Sequence, residues 1–125
     1  MTHTETKWLS WPSEQLRFEI QTRGGVPTRF VFQLEYNHEP SPERESDWRQ
    51  VVRFDHDEDG EHDVREEGIH MDVHYQNGEK AAQVRGFPDL DIREAPPYCE
   101  RHLEENYRFY ISHYQNNWEN LSRLV

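Results

Sequence analysis

At 125 residues the chain is sized for one hydrophobic core, because a second domain would hold too few residues to be stable, and residues 1–125 read as a single domain. Its 25 Asp and Glu against 14 Lys and Arg leave a formal charge of -11, which repels phosphate backbones and anionic membrane surfaces, so nucleic-acid partners are disfavoured. No apolar run approaches the ~20 residues that cross a bilayer, and the start, MTHTETKWLSWP, holds neither a cationic nor an apolar segment, which argues against a membrane protein.

Lys7 and Lys80 are the only lysines, a balance of the kind a high-salt cytoplasm selects; at 1 M salt, exposed charge is screened over roughly 3 Å and repulsion weakens. Cys99 stands alone, so no internal disulfide and no cysteine zinc cluster forms, and a reducing, cytoplasmic setting is expected. Hydrophobic residues are scarce at 33%, with a mean hydropathy of -1.18. The aromatic residues therefore have to close the core, and their spacing suits that role.

In chain order, residues 1–14 read as a flexible N-terminal segment, carrying Trp8 and Trp11 as candidates to cover an edge of the core or meet a partner. Residues 15–22 alternate Leu16, Phe18 and Ile20 with Arg17, Glu19 and Gln21, the period of a strand with one buried face. Arg23-Gly24-Gly25 turns the chain, and residues 28–36 repeat the pattern with Phe30, Phe32, Leu34 and Tyr36 inward, giving an antiparallel hairpin. Residues 37–47, with Pro40 and Pro42 among charges, form a loop.

A third strand is expected over 48–54, with Trp48, Val52 and Phe54 inward and Arg53, then Asp55, outward. After an acidic stretch, residues 69–75 place Ile69, Met71, Val73 and Tyr75 inward. Asn77-Gly78 predicts a two-residue hairpin turn with positive φ at both positions, returning through residues 80–85. Counting from that turn pairs Tyr75 with Lys80, Val73 with Ala82, Asp72 with Gln83 and Met71 with Val84. Ala95-Pro96-Pro97 suits the first turn of a helix, and Leu103, Tyr107, Tyr110, Tyr114, Trp118, Leu121 and Val125 mark one face of it.

That helix is expected over 97–125, roughly 40 Å if continuous, with an overhanging, exposed end from Trp118 unless Gln115-Asn116-Asn117 breaks it. The fold class is thus α+β: an antiparallel sheet of about five strands, in two hairpin-like units, against a long C-terminal helix.

The outward face of the middle strands gathers Arg53, Asp55, His70, Asp72, His74 and Arg85. His70, Asp72 and His74 at i, i+2 and i+4 lie roughly 6.8 Å apart and offer two metal ligands, or a base beside an orienting carboxylate. Arg53 and Arg85 suit a phosphate or carboxylate. A solvated sheet face accounts for the same alternation. The segment after Asp55 also fits D-x-D-x-D-G-x5-E through Asp55, Asp57, Asp59, Gly60 and Glu66, with Asp63 at the ninth position; in a chain with 25 acids a chance match is easy, so the loop suggests loose binding of a divalent metal ion rather than a specific calcium site. Its context is a strand rather than an entering helix, and Gly68 falls where an exit helix would begin. Cys99 has no activating neighbour, and Asn120-Leu121-Ser122 is a chance glycosylation triplet inside a helix.

The run W-R-x-V-V-R-F-D-H-D, then H-D-V, G-I-H-M-D-V-H-Y, N-G-E-K, G-F-P and A-P-x-Y-C, over roughly residues 48–114, resembles a family of short prokaryotic proteins classed as a domain of unknown function. More distantly, R-x-D followed by a His-rich turn is similar to TumE-like toxins of toxin-antitoxin pairs. That resemblance implies a nuclease-like site at Arg53, Asp55, His62 and His70, although the charge of -11 is unlike a protein that approaches RNA. Three functions from different classes are expected in turn. One is a toxin-type enzyme using His62 or His70 as acid or base, with Asp72 orienting a histidine and Arg53 and Arg85 stabilising phosphate. The others are a non-catalytic module for a protein partner or homo-oligomer, and a divalent-metal binder through Asp55, Asp57, Asp59, Glu66, His70 and His74.

Overall fold

The structure is a computed structural model that describes residues 1–60, 62–119 and 121. Six strands form one antiparallel sheet in sequence order: β1 (Thr2–Ser10), β2 (Glu14–Arg23), β3 (Val26–Asn37), β4 (Trp48–Asp57), β5 (Met71–His74) and β6 (Lys80–Val84). A four-residue helix, α1 (Val64–Glu67), joins β4 to β5, and α2 (Ala95–Gln115) follows β6. Every strand pairs with its neighbour in sequence, so the sheet is a meander, six strands where alternation shows five.

The additional strand is β1. Its sequence, THTETKWLS, carries no apolar alternation because it lies at the sheet edge and is mostly exposed; β-branched Thr2, Thr4 and Thr6 suit an extended edge, and pairing runs from Thr2 with Gln21 to Ser10 with Glu14. Lys7 ties this edge to the helix through Glu100 at 2.9 Å and Glu104 at 2.5 Å, and the two carboxylates raise its pKa.

One face of the sheet is the core. Leu16, Phe18, Phe30, Phe32, Leu34, Val52, Phe54, Met71 and Val73 meet Leu103, Tyr107, Tyr110, Ile111 and Tyr114 of α2, each such side chain contributing about 1.5–3 kcal/mol on burial. The tyrosine tips stay paired: Tyr110 with His102 at 2.6 Å, Tyr114 with His38 at 2.7 Å. Cys99 is fully buried, and burial raises its thiol pKa, which leaves it unreactive.

Two register details depart from simple alternation. Leu34 pairs with Val52 but Glu35 with Gln50, leaving Val51 as a bulge. Beyond it the strand's faces exchange, so Trp48 leaves the Val52 and Phe54 face and stands 5.7 Å from Trp8 instead. At the β5–β6 hairpin only Gly78 has positive φ, at 90°, and Tyr75 N–H donates to Glu79 O, so the loop has three residues, not two. His74 then pairs with Lys80, and a bulge restores Val73 with Ala82, Asp72 with Gln83 and Met71 with Val84. The extra loop residue and the bulge cancel, which is why the inner pairs match the count from the turn.

The helix starts at Ala95 and stops at Gln115, where Asn117 and Trp118 take φ of 52° and 55°. This left-handed turn folds Trp118 back under the sheet: it is 3% exposed, and its indole N–H donates to His74 O at 2.8 Å. The helix therefore does not continue through Trp118, and Trp118 is not exposed. Val125 and two residues of the glycosylation triplet, Asn120 and Ser122, lie outside the described residues. No described helix is long and apolar enough to cross a membrane.

Candidate metal centre

The second face of the sheet is polar and ordered into rows by the strand register. Arg17, Gln33, Arg53, Asp72 and Gln83 stand side by side across β2 to β6. In the next row Glu19, Val31 and Asp55 are neighbours, and the row after that holds Gln21, Arg29 and Asp57. Continuing the pairing of Arg53 with Asp72 brings His70 beside Asp55 on this face.

His62 arrives from the loop. Asp57 accepts from Asp59 N–H at 3.0 Å, and Gly60 N–H bonds Asp57 O, which turns the chain tightly; a Cβ on Gly60 would stand 3.1 Å from the Asp57 carboxylate. Asp57 N–H then donates to His62 O at 2.9 Å, setting His62 beside the end of β4. Asp63 next caps α1: its carboxylate accepts from Arg65 N–H at 2.9 Å and pairs with the Arg65 guanidinium at 2.7 Å, which holds its pKa down at about 2.

Asp55, His62 and His70 thus converge, with one ligand atom from each lying within 4.8 Å of the others, the one such group of three among the described residues. His70 Nε2 stands 3.8 Å from Asp55 Oδ1, too far for a hydrogen bond, and the His62 and His70 rings meet edge to face at 5.3 Å. His70 is 1% exposed, yet neither ring nitrogen has a hydrogen-bond partner among the described residues, and the buried Asp55 Oδ1 has none there either. The other oxygen, Oδ2, accepts from Arg53 Nε at 3.3 Å, which fixes the carboxylate's orientation. Three buried polar atoms without partners cost about 1–3 kcal/mol each, unless something polar joins them. A cavity of about 240 Å³, lined by Arg29, Val31, Arg53, Asp55 and His62, opens beside the cluster.

The remaining expected site residues go elsewhere. Asp72 pairs with Lys80 at 2.9 Å and accepts from Gln83; burial pushes its pKa up, but Lys80 and Gln83 outweigh this and hold it below the ordinary value. His74 is buried with Nδ1 unpaired, and burial lowers its pKa. Arg85 donates to Gln83 and to Glu67 O, away from the cluster. Asp57 is engaged by its own turn, Asp59 and Glu66 are exposed, and Asp63 holds Arg65, so the D-x-D-x-D-G-x5-E oxygens do not converge.

Arg29 is the site residue that the sequence reading passes over. Its signal is visible in retrospect: it alternates with Phe30 and Phe32, so it must project from the face that carries Asp55.

The fold and site define an α+β domain in which a six-stranded meander, backed by one helix, carries a His-His-Asp cluster on its open face. The chain belongs to the family described as a domain of unknown function, DUF7718, whose family model matches residues 1–120. No significant match was found among curated proteins or among solved structures.

Proposed function

We propose that this protein binds a divalent transition-metal ion through Asp55, His62 and His70 and uses the ion's open positions for chemistry. The observation that carries this reading is the convergence of three ligand atoms, two of them, from Asp55 and His70, buried atoms without a hydrogen-bond partner among the described residues. A tetrahedral ion at roughly 2.1 Å from each ligand sets the ligand atoms about 3.4 Å apart, so the 3.8 Å between His70 Nε2 and Asp55 Oδ1 needs only a small closure. Two imidazoles and one carboxylate favour zinc, iron, manganese or nickel over calcium, which prefers an all-oxygen shell. Three protein ligands leave room for water or substrate, the arrangement of a catalytic rather than a structural site, and a bound ion of this kind supplies an activated water near neutral pH.

Calorimetric titration in phosphate-free buffer tests the reading. One saturable event with zinc or manganese is expected for the wild type, none for Asp55→Asn or His70→Ala, and none with calcium. Absence of saturable heat in the wild type, or equal binding by the variants, contradicts it.

A second reading, a toxin-type RNA-cleaving enzyme, draws support from the proximity of Arg53, Asp55, His62 and His70. In that case expression of the wild type arrests growth and degrades total RNA while His70→Ala does neither; harmless wild-type expression with intact RNA removes it.

A further inference from the structure

The geometry points to a small phosphate monoester as the ligand of this centre, its phosphate held between the metal ion and the guanidinium groups of Arg29 and Arg53. The inference rests on the metal reading above and names what the open positions receive.

Arg29 and Arg53 reach the same cavity as Asp55 and His62 from two adjacent strands, on either side of Val31. Each makes one loose ion pair within the face, Arg29 with Glu19 at 3.4 Å and Arg53 with Asp55 at 3.3 Å, so most of the five N–H donors on each guanidinium are left to meet a ligand. Both also line a second cavity of about 300 Å³ on the β1 side, where Arg17 adds a third guanidinium. Val31 lies in the wall of both cavities and supplies an apolar surface for the uncharged part of a ligand.

Charge decides when an anion enters. Arg17, Arg29 and Arg53 face four carboxylates, those of Glu19, Glu35, Asp55 and Asp57, so the trough without an ion is slightly negative. A divalent ion reverses that sign, and anion binding should therefore follow metal binding rather than precede it. Oxygen count decides which anion. A carboxylate offers two oxygens, whereas this site presents a metal and two guanidinium groups in different directions, which three terminal phosphate oxygens satisfy together. Size and net charge decide the rest: at -11 the protein repels a polyanionic strand far more than a single phosphate, and cavities of this volume suit a small molecule.

The test uses full-length protein with manganese, following ³¹P line broadening of inorganic phosphate and phenyl phosphate. Acetate and a single-stranded oligonucleotide, added as competitors of phosphate, and metal-free protein serve as comparison arms, and manganese occupancy is read separately from the free-ion electron spin resonance signal. Phosphate and phenyl phosphate should bind the manganese-loaded protein and not the metal-free form. Arg29→Met should weaken them about 10- to 100-fold with manganese occupancy unchanged, and Arg29→Lys should recover part of the loss because it keeps the charge without the fork. Manganese retained with no phosphate binding, equal phosphate binding by Arg29→Met, equal binding to metal-free protein, or tighter binding of acetate or the oligonucleotide each overturns this inference while leaving the metal centre standing. Failure of the wild type to retain manganese overturns both.

Discussion

Two adjacent rows on the open face of the sheet carry the same kinds of residue and end up in opposite states. At Asp72 the carboxylate has Lys80 at 2.9 Å and Gln83 at 3.3 Å, a closed set of partners supplied by the adjacent strand. Two residues earlier, His70 is more deeply buried and has no hydrogen-bond partner on either ring nitrogen among the described residues, and Asp55 across from it has none there on Oδ1. The contrast teaches how to separate a structural polar pair from a functional one on a single sheet face. A group that the fold satisfies is holding the fold, and a buried group that it leaves unsatisfied, beside others of complementary chemistry, is the better candidate for a ligand.

The largest effect expected from this difference is on metal affinity. Since loss even of residues that only support metal ligands costs about 10- to 100-fold, His70→Ala or Asp55→Asn should weaken zinc by more than about 100-fold, while Asp72→Asn leaves it within a few-fold. Titration of the three variants side by side checks this, and equal losses would erase the distinction between the two rows.

Next in size is thermal stabilisation by the ion. At free metal 100 times the dissociation constant the native state gains about 2.7 kcal/mol, roughly a 10 °C rise in melting temperature for a domain of this size, and Asp55→Asn should show none of it. Scanning calorimetry with and without zinc measures it.

The metal-free proteins sharpen the comparison further. His70→Leu replaces an unsatisfied buried polar group and should leave stability unchanged or raise it by about 1 kcal/mol, whereas Asp72→Asn breaks a satisfied pair and should lower it by about 1 kcal/mol. Denaturant unfolding of the two metal-free variants reads the opposite signs.

The smallest effect concerns the loop that delivers His62. Asp63 has its pKa depressed to about 2 by Arg65, so its contribution to stability is present above the ordinary carboxylate value near 4 and is lost as pH falls through about 2. The stability difference between wild type and Asp63→Asn should therefore be constant from pH 5 to 7 and shrink toward zero near pH 2, as followed by urea unfolding at each pH.

Much of the scaffold was readable from the residues, and the reasons for the exceptions are local. Apolar alternation exposed β2, β3 and β5 because each has one face on the core, but β1 shows none because an edge strand buries little. The Val51 bulge is invisible to a period-2 reading, and so Trp48 was expected on the wrong face. Trp118 keeps its place on the helix stripe by spacing alone, but the left-handed turn at Asn117 buries it by another route. At the site, strand alternation suffices to put Arg53, Asp55 and His70 on one face. What it does not carry is the loop closure from Asp57 to His62, which selects His62 over His74 as the third member, or the register that sets Arg29 against Asp57.

Anomalous diffraction from crystals grown with zinc tests the central claim most directly. One strong peak is expected on the open face of the sheet, within about 2.0–2.3 Å of the Asp55 carboxylate and of a nitrogen from each of His62 and His70. A map with no peak between those three side chains, or with zinc seated on Asp57 and Asp59 instead, contradicts it.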